Sequence, residues 1–440
     1  MKKIVYTLLV IIIIVFTVGY FRYNPTVNFV NTIPKTAKKV VRVNLRELEY
    51  IVLKEYVFNP SLIFQSKERE AGKEKRVSLF KQIEIPSNLF LYSFSDDLND
   101  AWYSSEVAIK DYDELKLYFK EQNLPENVYK NILYFRKKNL IYTVVENKLV
   151  FVFTQEKDEK LVLEKLVNQK DYLSKNDALI TFIEDNNALV LGGTTEGDFL
   201  KLTKEESTLN LTGKWWKFEN LLLPEMFKAS EKSIASLYGK INAKEVIGLV
   251  SEEQKKKLKK IATIELDSIE KYWDGELRAQ VLDVKVKQDT IVSYDYDDDF
   301  NKIEKKEIKE KKVPVSKIYL GGGAFYSYLK RKSFIKNVED SEVLTLNPFF
   351  KTEVKSFDDG VLMFSGGDDN LGVFQKNTLP ETKFILKVNF ESFGKRFYFK
   401  NSLLKNLKKG SLQIEMDNHF TLNLFFSKAP INSILSGGLF

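Results

Sequence analysis

The densest group of carboxylates in the chain is the run Asp295-Tyr296-Asp297-Asp298-Asp299-Phe300-Asn301. It superficially resembles a calcium-binding loop, which also needs a glycine at its sixth position and a bidentate glutamate at its twelfth. Phe300 and Lys306 occupy those positions, so the match fails. A second acidic group, Asp368-Asp369-Asn370, fails because Leu379 stands at its twelfth position. We predict no metal site and interpret the first group as the acidic tip of a β-ribbon.

Three consecutive glycines, Gly321-Gly322-Gly323, stand between a predicted strand over 317–320 and a helix-like stretch over 324–332. A strand, a glycine loop and a helix in this order can cradle a phosphate group. The lysine and hydroxyl pair of a phosphate loop is missing, and so is the glycine spacing of a dinucleotide site. We therefore interpret the glycines as positions of close backbone packing, with anion binding as the alternative.

His419 is the single histidine and follows a probable turn at Asp417-Asn418. One histidine cannot form a multi-histidine metal site, and as a catalytic base it needs a nucleophile and an orienting carboxylate that the sequence does not locate. We interpret it as a turn or surface residue. Trp215-Trp216 is interpreted as core packing, with a ligand or interface platform as the alternative.

The sequence thus predicts no catalytic, cofactor-binding or metal-binding residues, and no cofactor. Cysteine is absent, which excludes disulfides, thiolate zinc sites and cysteine nucleophiles. The 61 acidic residues allow too many carboxylate pairs for a glycosidase-type site to be identified. We predict a protein that is not an enzyme, with an exported hydrolase that uses scattered Asp, Glu or Ser residues as an alternative.

The charged residues argue against a nucleic-acid partner. There are 68 basic and 61 acidic residues, which give a net charge of +7 spread over a long chain. Most of the basic residues are lysine, whereas readers of nucleic acid depend on the planar guanidinium fork of arginine. We predict no nucleic-acid binding.

The first 21 residues predict a location in the cell. Lys2 and Lys3 precede an uncharged apolar run from Ile4 to Phe21. A helix of ~18 residues spans about 27 Å, just enough for a bilayer core of about 30 Å. Because the lysines favour a cytoplasmic amino terminus, we predict a single-pass bacterial inner-membrane protein with a periplasmic body. The alternative is a signal peptide cleaved near Gly19, which gives a secreted protein.

Beyond a transmembrane anchor over 1–21 and a stalk over 22–33, strands, hairpins and helices alternate at short range. This alternation predicts an α+β fold of mainly antiparallel strands with packed helices. We predict two sheet-rich lobes, over 34–228 and 229–440. Two hairpins are predicted, over 140–153 and 178–191, and helix starts are predicted where a cap residue precedes its capping-box partner by three positions, at Asp111 with Glu114 and at Ser251 with Gln254.

Short sequence echoes suggest that the two lobes are related. The segment from Asn31 to Asn44 is echoed by the segment from Asn377 to Asn389, and Asn242 ends a third similar strand. Chance repetition in strand-forming sequence is the alternative. Apolar strands closed by paired glycines are also predicted, at Gly192-Gly193, Gly366-Gly367 and Gly437-Gly438.

A protruding ribbon is predicted over about 276–312. The turn signal Asp274-Gly275 is followed by alternating segments over 276–287 and 289–297, and interleaved lysine and glutamate continue over 302–312. Strands with polar residues on both faces have no face that must be buried. We therefore expect this ribbon to project into solvent.

The amino-terminal region has the order Met1-Lys2-Lys3, apolar anchor, Asn24-Pro25 stalk and Pro-led strand ending at Val43-Asn44. It resembles uncharacterised membrane-anchored envelope proteins of Bacteroidota and, more loosely, AsmA-like envelope proteins. The second resemblance implies a role in envelope lipid homeostasis. The leading prediction is a non-enzymatic envelope component that binds a protein partner or supports an assembly. Carriage of lipid or another apolar ligand is the alternative.

Overall fold

The computed structural model describes residues 32–59, 79–96, 100–105, 107–154, 159–167, 171–174, 177–185, 187–222, 227–228, 233–248, 250–262, 265–296, 300, 302–347, 350–366, 375–376, 382–392 and 406–436. Contacts between Cα atoms divide the chain into two compact units, Met1–Lys214 with Ser427–Phe440, and Trp215–Phe426. The predicted anchor, and most of the predicted stalk, lie outside the described residues. The predicted lobe bounds stay a prediction.

The first unit contains a sheet with helices on both of its faces. Its strands are β1 (Lys39–Asn44), β2 (Asn88–Ser93), β3 (Trp102–Ser104), β4 (Val107–Ala108), β5 (Asn127–Tyr129), β6 (Ile132–Lys137), β7 (Leu140–Val145), β8 (Lys148–Phe153), β9 (Val190–Thr194), β10 (Phe199–Glu205) and β11 (Thr208–Lys214). Its helices are α1 (Leu45–Phe58), α2 (Leu79–Gln82), α3 (Tyr112–Glu121), α4 (Glu159–Val167) and α5 (Ala178–Ile183).

The second unit begins with a short 3-10 helix, Trp216–Asn220, and is also rich in strands. Its strands are β12 (Leu221–Leu222), β13 (Phe227–Lys228), β14 (Ala235–Ile241), β15 (Glu276–Tyr296), β16 (Lys302–Gly321), β17 (Ile335–Val338), β18 (Ser341–Leu344), β19 (Thr352–Phe357), β20 (Gly360–Ser365), β21 (Gln375–Lys376), β22 (Thr382–Asn389), β23 (Leu407–Glu415) and β24 (His419–Phe426). Its helices are α6 (Ala243–Gly248), α7 (Glu252–Ala262), α8 (Leu266–Tyr272) and α9 (Phe325–Arg331), and helix α10 (Pro430–Ser436) belongs to the first unit.

The strands follow the same order in both units. In the first unit the order across the sheet is β5-β6-β7-β8-β3-β2-β1-β9-β10-β11. In the second it is β17-β18-β19-β20-β16-β15-β14-β22-β23-β24. All of these pairings are antiparallel, which confirms the α+β class with a mainly antiparallel sheet. The shared order supports the hypothesis of internal repetition.

The register of that repetition differs from the one predicted. By strand order β1 corresponds to β14, so Asn44 corresponds to Asn242. The sequence echo had instead matched Asn44 with Asn389, which ends β22, the counterpart of β9. The echo was misleading because an asparagine that ends a strand and caps a helix recurs for local reasons. Ser392 N–H donates to Asn389 Oδ1 at 3.0 Å, as an N-cap bond requires.

Helices α3 and α9 correspond to each other and end in the same way. Asn123 and Ser333, each just past its helix, adopt the left-handed conformation at φ values of 55° and 58°. The following residue then donates to a carbonyl five residues earlier, which satisfies an end group of the helix. These bonds run from Leu124 N to Phe119 O at 3.0 Å and from Phe334 N to Leu329 O at 2.9 Å.

Two helix starts and one hairpin are as predicted. Asp111 Oδ1 accepts a hydrogen bond from Glu114 N at 3.0 Å. Ser251 and Gln254 bond each other reciprocally, from Gln254 N to Ser251 Oγ at 3.3 Å and from Ser251 N to Gln254 Oε1 at 3.2 Å. Strands β7 and β8 form the predicted hairpin over 140–153.

The hairpin predicted over 178–191 is wrong, because residues 178–183 form helix α5. The run Ala-Leu-Ile-Thr-Phe-Ile is apolar in almost every position, and such a short run has no periodicity that separates a strand from a buried helix. In the helix, Leu179, Ile180 and Ile183 share a buried face. The predicted strand before Gly437-Gly438 is also wrong, because helix α10 occupies that segment, and Gly192-Gly193 lie within β9 instead of ending it.

Arg42 lies in the middle of β1, and its side chain is completely buried at 0% exposure. Its guanidinium donates to the backbone oxygens of Ile183 at 2.6 Å, of Asp185, and of Ala188 at 3.4 Å. Burial lowers the pKa of Arg42, and the nearby Asp185 carboxylate offsets this in part. The cation thus satisfies carbonyls at the end of α5, where the helix dipole is negative.

Glu55 on α1 is also buried and holds helix α10. Its carboxylate accepts hydrogen bonds from Ile431 N at 3.2 Å, Asn432 N at 2.9 Å and Asn432 Nδ2 at 2.9 Å. Lys204 Nζ lies 4.0 Å from the same carboxylate. An acidic group at a helix start satisfies free N–H groups and complements the dipole, so Glu55 ties the end of the chain to the first unit.

Candidate functional site

The predicted ribbon is a long hairpin of β15 and β16. The two segments predicted at 276–287 and 289–297 form one continuous strand, whose partner is β16. Its inner part is flanked by β14 as far as Val281 and by β20 from Ser316 onward. Beyond these residues, within the part that the structure describes, β15 and β16 pair only with each other. This outer ribbon is about 45 Å long at ~3.3 Å per residue.

One face of the outer ribbon carries exposed apolar side chains. They are Val286 at 55%, Val292 at 42%, Tyr294 at 55% and Ile308 at 64% exposure. Alternate residues of a strand share a face, and Ile308 lies opposite Thr290 on that same face. We call these four side chains the apolar stripe. Val292, Tyr294 and Ile308 are neighbours by strand register, and adjoining exposed apolar groups are typical of interaction surfaces.

Charged side chains frame the apolar stripe. Lys302 Nζ lies 3.7 Å from the centroid of the Tyr294 ring. Glu304 and Lys306 form an ion pair at 3.1 Å on the same face. Exposed pairs of this kind contribute little to stability. Their effect is to keep the ribbon soluble and to give the edge of the stripe a charge pattern that a partner can match.

The base of the ribbon contains a buried cluster of polar residues. Strand pairing places Arg278 between Tyr238 on β14 and Tyr319 on β16. The guanidinium carbon of Arg278 lies 4.4 Å from the centroid of the Tyr319 ring. Arg278 Nε donates to Glu276 Oε1 at 2.8 Å, and Nη2 donates to the same oxygen. Gln280 donates to the Tyr238 hydroxyl.

Burial shifts the pKa values of this cluster. It raises the pKa of Glu276, although the hydrogen bond and the charge of Arg278 oppose the shift. Burial also raises the pKa of Tyr238 and of Tyr319. It lowers the pKa of Lys317, which lies opposite Gln280 on β16. The bonds of the cluster are internal to the base of the ribbon. The cluster thus connects β14, β15 and β16 where the ribbon leaves the sheet.

The acidic tip gives no sign of a metal site within the described residues, among which there is no group of three or more His, Cys, Asp or Glu that could hold a metal ion. Most of the tip, and all of 368–370, lie outside the described residues. Phe300 is described, with a φ of 62° and 86% exposure. A large apolar side chain therefore stands at the end of the ribbon.

The glycine run is a point of close backbone contact. Gly322 has a φ of 107°. A Cβ atom there would lie 2.3 Å from the Tyr272 oxygen, and one on Gly323 would lie 2.4 Å from the Asp358 oxygen. Helix α9, which follows the run, has only seven residues. The interpretation as tight packing fits this geometry, and the anion site has no observation in its favour.

His419 and the tryptophan pair lie in different surroundings. His419 Nδ1 is 2.6 Å from Asp417 Oδ2, beside a turn at which Asn418 has a φ of 69°. The hydrogen bonds from His419 lower the pKa of Asp417. Trp215 packs edge-on against Phe218 with ring centroids 5.3 Å apart, whereas Trp216 is 47% exposed. Strand order places none of these residues at the ribbon.

Sequence reasoning did not single out the pair Glu276 and Arg278, although a signal was present. Glu276, Arg278 and Gln280 alternate along β15 and so share one face, which is an unusual pattern for a strand with a buried face. Nor did it single out the apolar stripe, whose members are separated by polar residues along the chain. These side chains are exposed because, in the part of the chain that the structure describes, no further strand lies beside β15 and β16 there.

Helices that meet the length and apolar composition of a bilayer crossing are absent from the described part of the chain. The predicted span over 1–21 is not part of it.

No protein-family model matches the chain, and no curated protein matches it. Among solved structures, crystal form IV of TP0453 is 8% identical, with a TM-score of 0.26 over 43% of this chain and 83% of that chain. Crystal form I of TP0453 is 9% identical, with a TM-score of 0.21 over 78% of this chain and 92% of that chain. Likenesses this weak carry no argument about fold or function.

Proposed function

We propose that the protein is a non-enzymatic component of the bacterial cell envelope that binds a protein partner through its outer ribbon. In this proposal the segment over 1–21 anchors it in the inner membrane, with the amino terminus in the cytoplasm and the body in the periplasm. The observation that carries the partner-binding role is the apolar stripe on a ribbon that pairs with no other described strand.

The geometry of the ribbon suits an extended partner segment. The outer edges of β15 and β16 present backbone N–H and C=O groups to which another strand can pair. A few residues near the centre of an interface contribute most of its binding energy, and tyrosine is enriched among them. The stretch over 302–312 has more lysines than glutamates. We therefore expect a partner segment in which apolar and acidic side chains alternate.

Replacing the apolar stripe by threonine is expected to reduce partner recovery at least tenfold. Threonine keeps the strand propensity of the ribbon while it removes most of the apolar contact. The four substitutions are Val286→Thr, Val292→Thr, Tyr294→Thr and Ile308→Thr. The measurement is cross-linking in intact cells, followed by affinity purification of the full-length protein and quantitative mass spectrometry.

The matched control places four threonines on the opposite face of the same strands. Its substitutions are Lys285→Thr, Ser293→Thr, Ile303→Thr and Glu307→Thr, which lie on the opposite face by strand register and leave the net charge unchanged. This control should keep the partner, because the apolar stripe is intact. A third variant, in which Asn-Gly replaces residues 286–312, should lose the partner. Equal recovery of the same cross-linked proteins from all of these chains would rule out the ribbon as the contact.

The location in the membrane has its own test. Full-length protein is expected to stay in the pellet after high-speed centrifugation without detergent, and to resist extraction by alkaline carbonate, since its apolar amino terminus prefers hydrocarbon to water. A chain that lacks residues 1–21 and is expressed in the cytoplasm should appear in the supernatant. Uncut full-length protein in the supernatant contradicts the anchor, and cleavage near Gly19 supports the signal-peptide alternative.

A further inference from the structure

An apolar cavity lies beneath helix α9 in the second unit. Its volume is about 210 Å³, and its lining includes Ile269, Leu320, Leu329, Phe334, Leu344 and Met363. Apart from the ring of Tyr328, all of the residues around it are aliphatic, thioether or phenyl side chains. Water needs polar partners to occupy such a space, so an apolar cavity stays dry and accepts apolar ligands.

The cavity arises where two neighbouring strands diverge. Strands β18 and β19 pair at one position, Val343 with Glu353. Their counterparts in the first unit, β6 and β7, pair at five positions, from Leu133 with Val144 to Lys137 with Leu140. Leu344 at the end of β18 and Leu346 in the following turn line the cavity close to this single pair.

In the first unit, the residue at the corresponding helix position is a phenylalanine that packs against a second ring. Phe119 on α3 is completely buried, and its ring stacks on that of Phe135 with centroids 4.2 Å apart. The position that corresponds to Phe119 in the second unit is Leu329, because both residues accept the bond that ends their helices. A phenyl ring in one unit thus corresponds to a shorter aliphatic side chain in the other.

The cavity is accessible at one end. Leu346 is 36% exposed although it lines the cavity, and Leu344 is partly buried. Phe334 and Leu329, at the inner end, are almost fully buried. A ligand that enters past Leu346 therefore meets only apolar side chains along its path, while any polar group that it carries stays at the surface.

We propose that this cavity binds the alkyl chain of an amphiphile, with the polar head of the amphiphile left in solvent beside Leu346. The volume exceeds that of an engineered cavity of about 150 Å³ that binds benzene. It is smaller than the ~300 Å³ at which sites for drug-sized molecules begin. A segment of a single alkyl chain therefore fits, whereas a whole phospholipid does not.

The test uses full-length protein in lipid nanodiscs and a photoreactive probe, decanoic acid with a diazirine at its terminal carbon. After illumination, peptide mass spectrometry locates the labelled residues. Because the reactive carbon is at the far end of the chain from the polar head, labelling is expected on the peptides that contain the buried lining residues Leu329, Phe334 and Met363. It should saturate as the probe concentration rises. No labelling of these peptides, or labelling that increases without saturation, overturns the proposal.

Filling the cavity provides the matched control. Leu329→Phe introduces the side chain found at the corresponding position of the first unit, and it should reduce labelling of the cavity peptides at least tenfold. Labelling elsewhere on the chain should not change. Leu329→Met, which keeps the volume nearly constant, should keep the labelling. Equal labelling of Leu329→Phe and the native chain, with both folded by circular dichroism, contradicts binding in the cavity.

A second probe separates two sources of the alkyl chain. A phosphatidylethanolamine with the same diazirine on one acyl chain replaces the free acid in the nanodisc. Labelling of the cavity by both probes assigns the site to acyl chains that the protein takes from a bilayer. Labelling by the free acid alone assigns it to soluble single-chain amphiphiles. Both results support an alkyl ligand. Neither result depends on whether the ribbon binds a protein partner.

Discussion

Replacing Arg42 by methionine is expected to lower the free energy of unfolding of the first unit by about 3 kcal/mol. Methionine has a similar length but donates no hydrogen bond. The carbonyls of Ile183, Asp185 and Ala188 would then be left inside the protein without this donor, and a buried acceptor without a partner costs about 1 to 3 kcal/mol. Arg42→Met also removes a buried charge and with it part of the desolvation cost of that charge. The total loss of stability should therefore be smaller than the cost of three unpaired carbonyls.

The measurement is hydrogen exchange of the backbone amides over 178–188, together with urea unfolding of the full-length protein. In Arg42→Met these amides should exchange faster than those of the hairpin over 140–153, because the lost bonds act on α5. Val41→Met, at the adjacent position on the other face of β1, should cost less than Arg42→Met, because Val41 is only partly buried and its side chain makes no hydrogen bond. An Arg42→Met protein that unfolds like the Val41→Met control would show that the carbonyls find other donors.

Local features of the fold could be predicted from the sequence. The caps at Asp111 and Ser251 depend on residues three positions apart, and the hairpin over 140–153 depends on one turn between two alternating runs. Helix α5 could not be predicted in this way, because its six residues are too few to show a helical period. Burial against the first unit decides its structure, and burial depends on residues far away in the chain.

The repetition shows the same limit at a larger scale. A strand followed by asparagine and a helix occurs at Asn44, Asn242 and Asn389, so the motif alone cannot say which copies correspond. Strand order identifies Asn242 as the counterpart of Asn44. Pairing between strands is a non-local property. A short motif that caps a helix does not encode it.

The candidate sites differ in how far the sequence could predict them. The ribbon was expected over about 276–312 from polar residues on both of its faces. Strands β15 and β16 form one long hairpin, but its inner part over 276–281 lies beside β14 within the sheet and its polar side chains are buried. The cavity was not expected, since it depends on the divergence of β18 and β19 and on the size of Leu329. Neither the pairing of β18 with β19 nor the space around Leu329 leaves a pattern along the chain. Comparison of the two units is what makes the difference between Phe119 and Leu329 visible.

A substitution at the base of the ribbon tests whether the buried ion pair of Glu276 and Arg278 stabilises the second unit. Arg278→Leu is expected to lower the stability of the second unit by about 3 to 5 kcal/mol at pH 7, because it leaves the Glu276 carboxylate buried without its cation. The two side chains of this pair are only 6% and 8% exposed. The measurement is urea unfolding of the full-length protein, with hydrogen exchange over 276–281 to locate the effect.

The pH dependence of this variant separates a charge effect from a packing effect. Burial already raises the pKa of Glu276 above its ordinary value, and loss of Arg278 should raise it further. A group whose pKa is raised by folding favours the folded state below the unfolded pKa, and this contribution is lost as the pH rises through the folded pKa. The destabilisation by Arg278→Leu should therefore be largest at pH 7 and shrink towards pH 4, where Glu276 binds a proton.

The double variant Glu276→Leu with Arg278→Leu removes both charges and serves as the control. Because well-packed apolar residues often replace a buried ion pair without loss, it should recover most of the stability at pH 7 and show no dependence on pH from this site. A double variant as unstable as Arg278→Leu alone would mean that the contact of Arg278 with Tyr319 is what matters. The single variant Arg278→Leu should then lose the same stability at pH 4 as at pH 7. Together these two results would show that the ion pair does not stabilise the base of the ribbon.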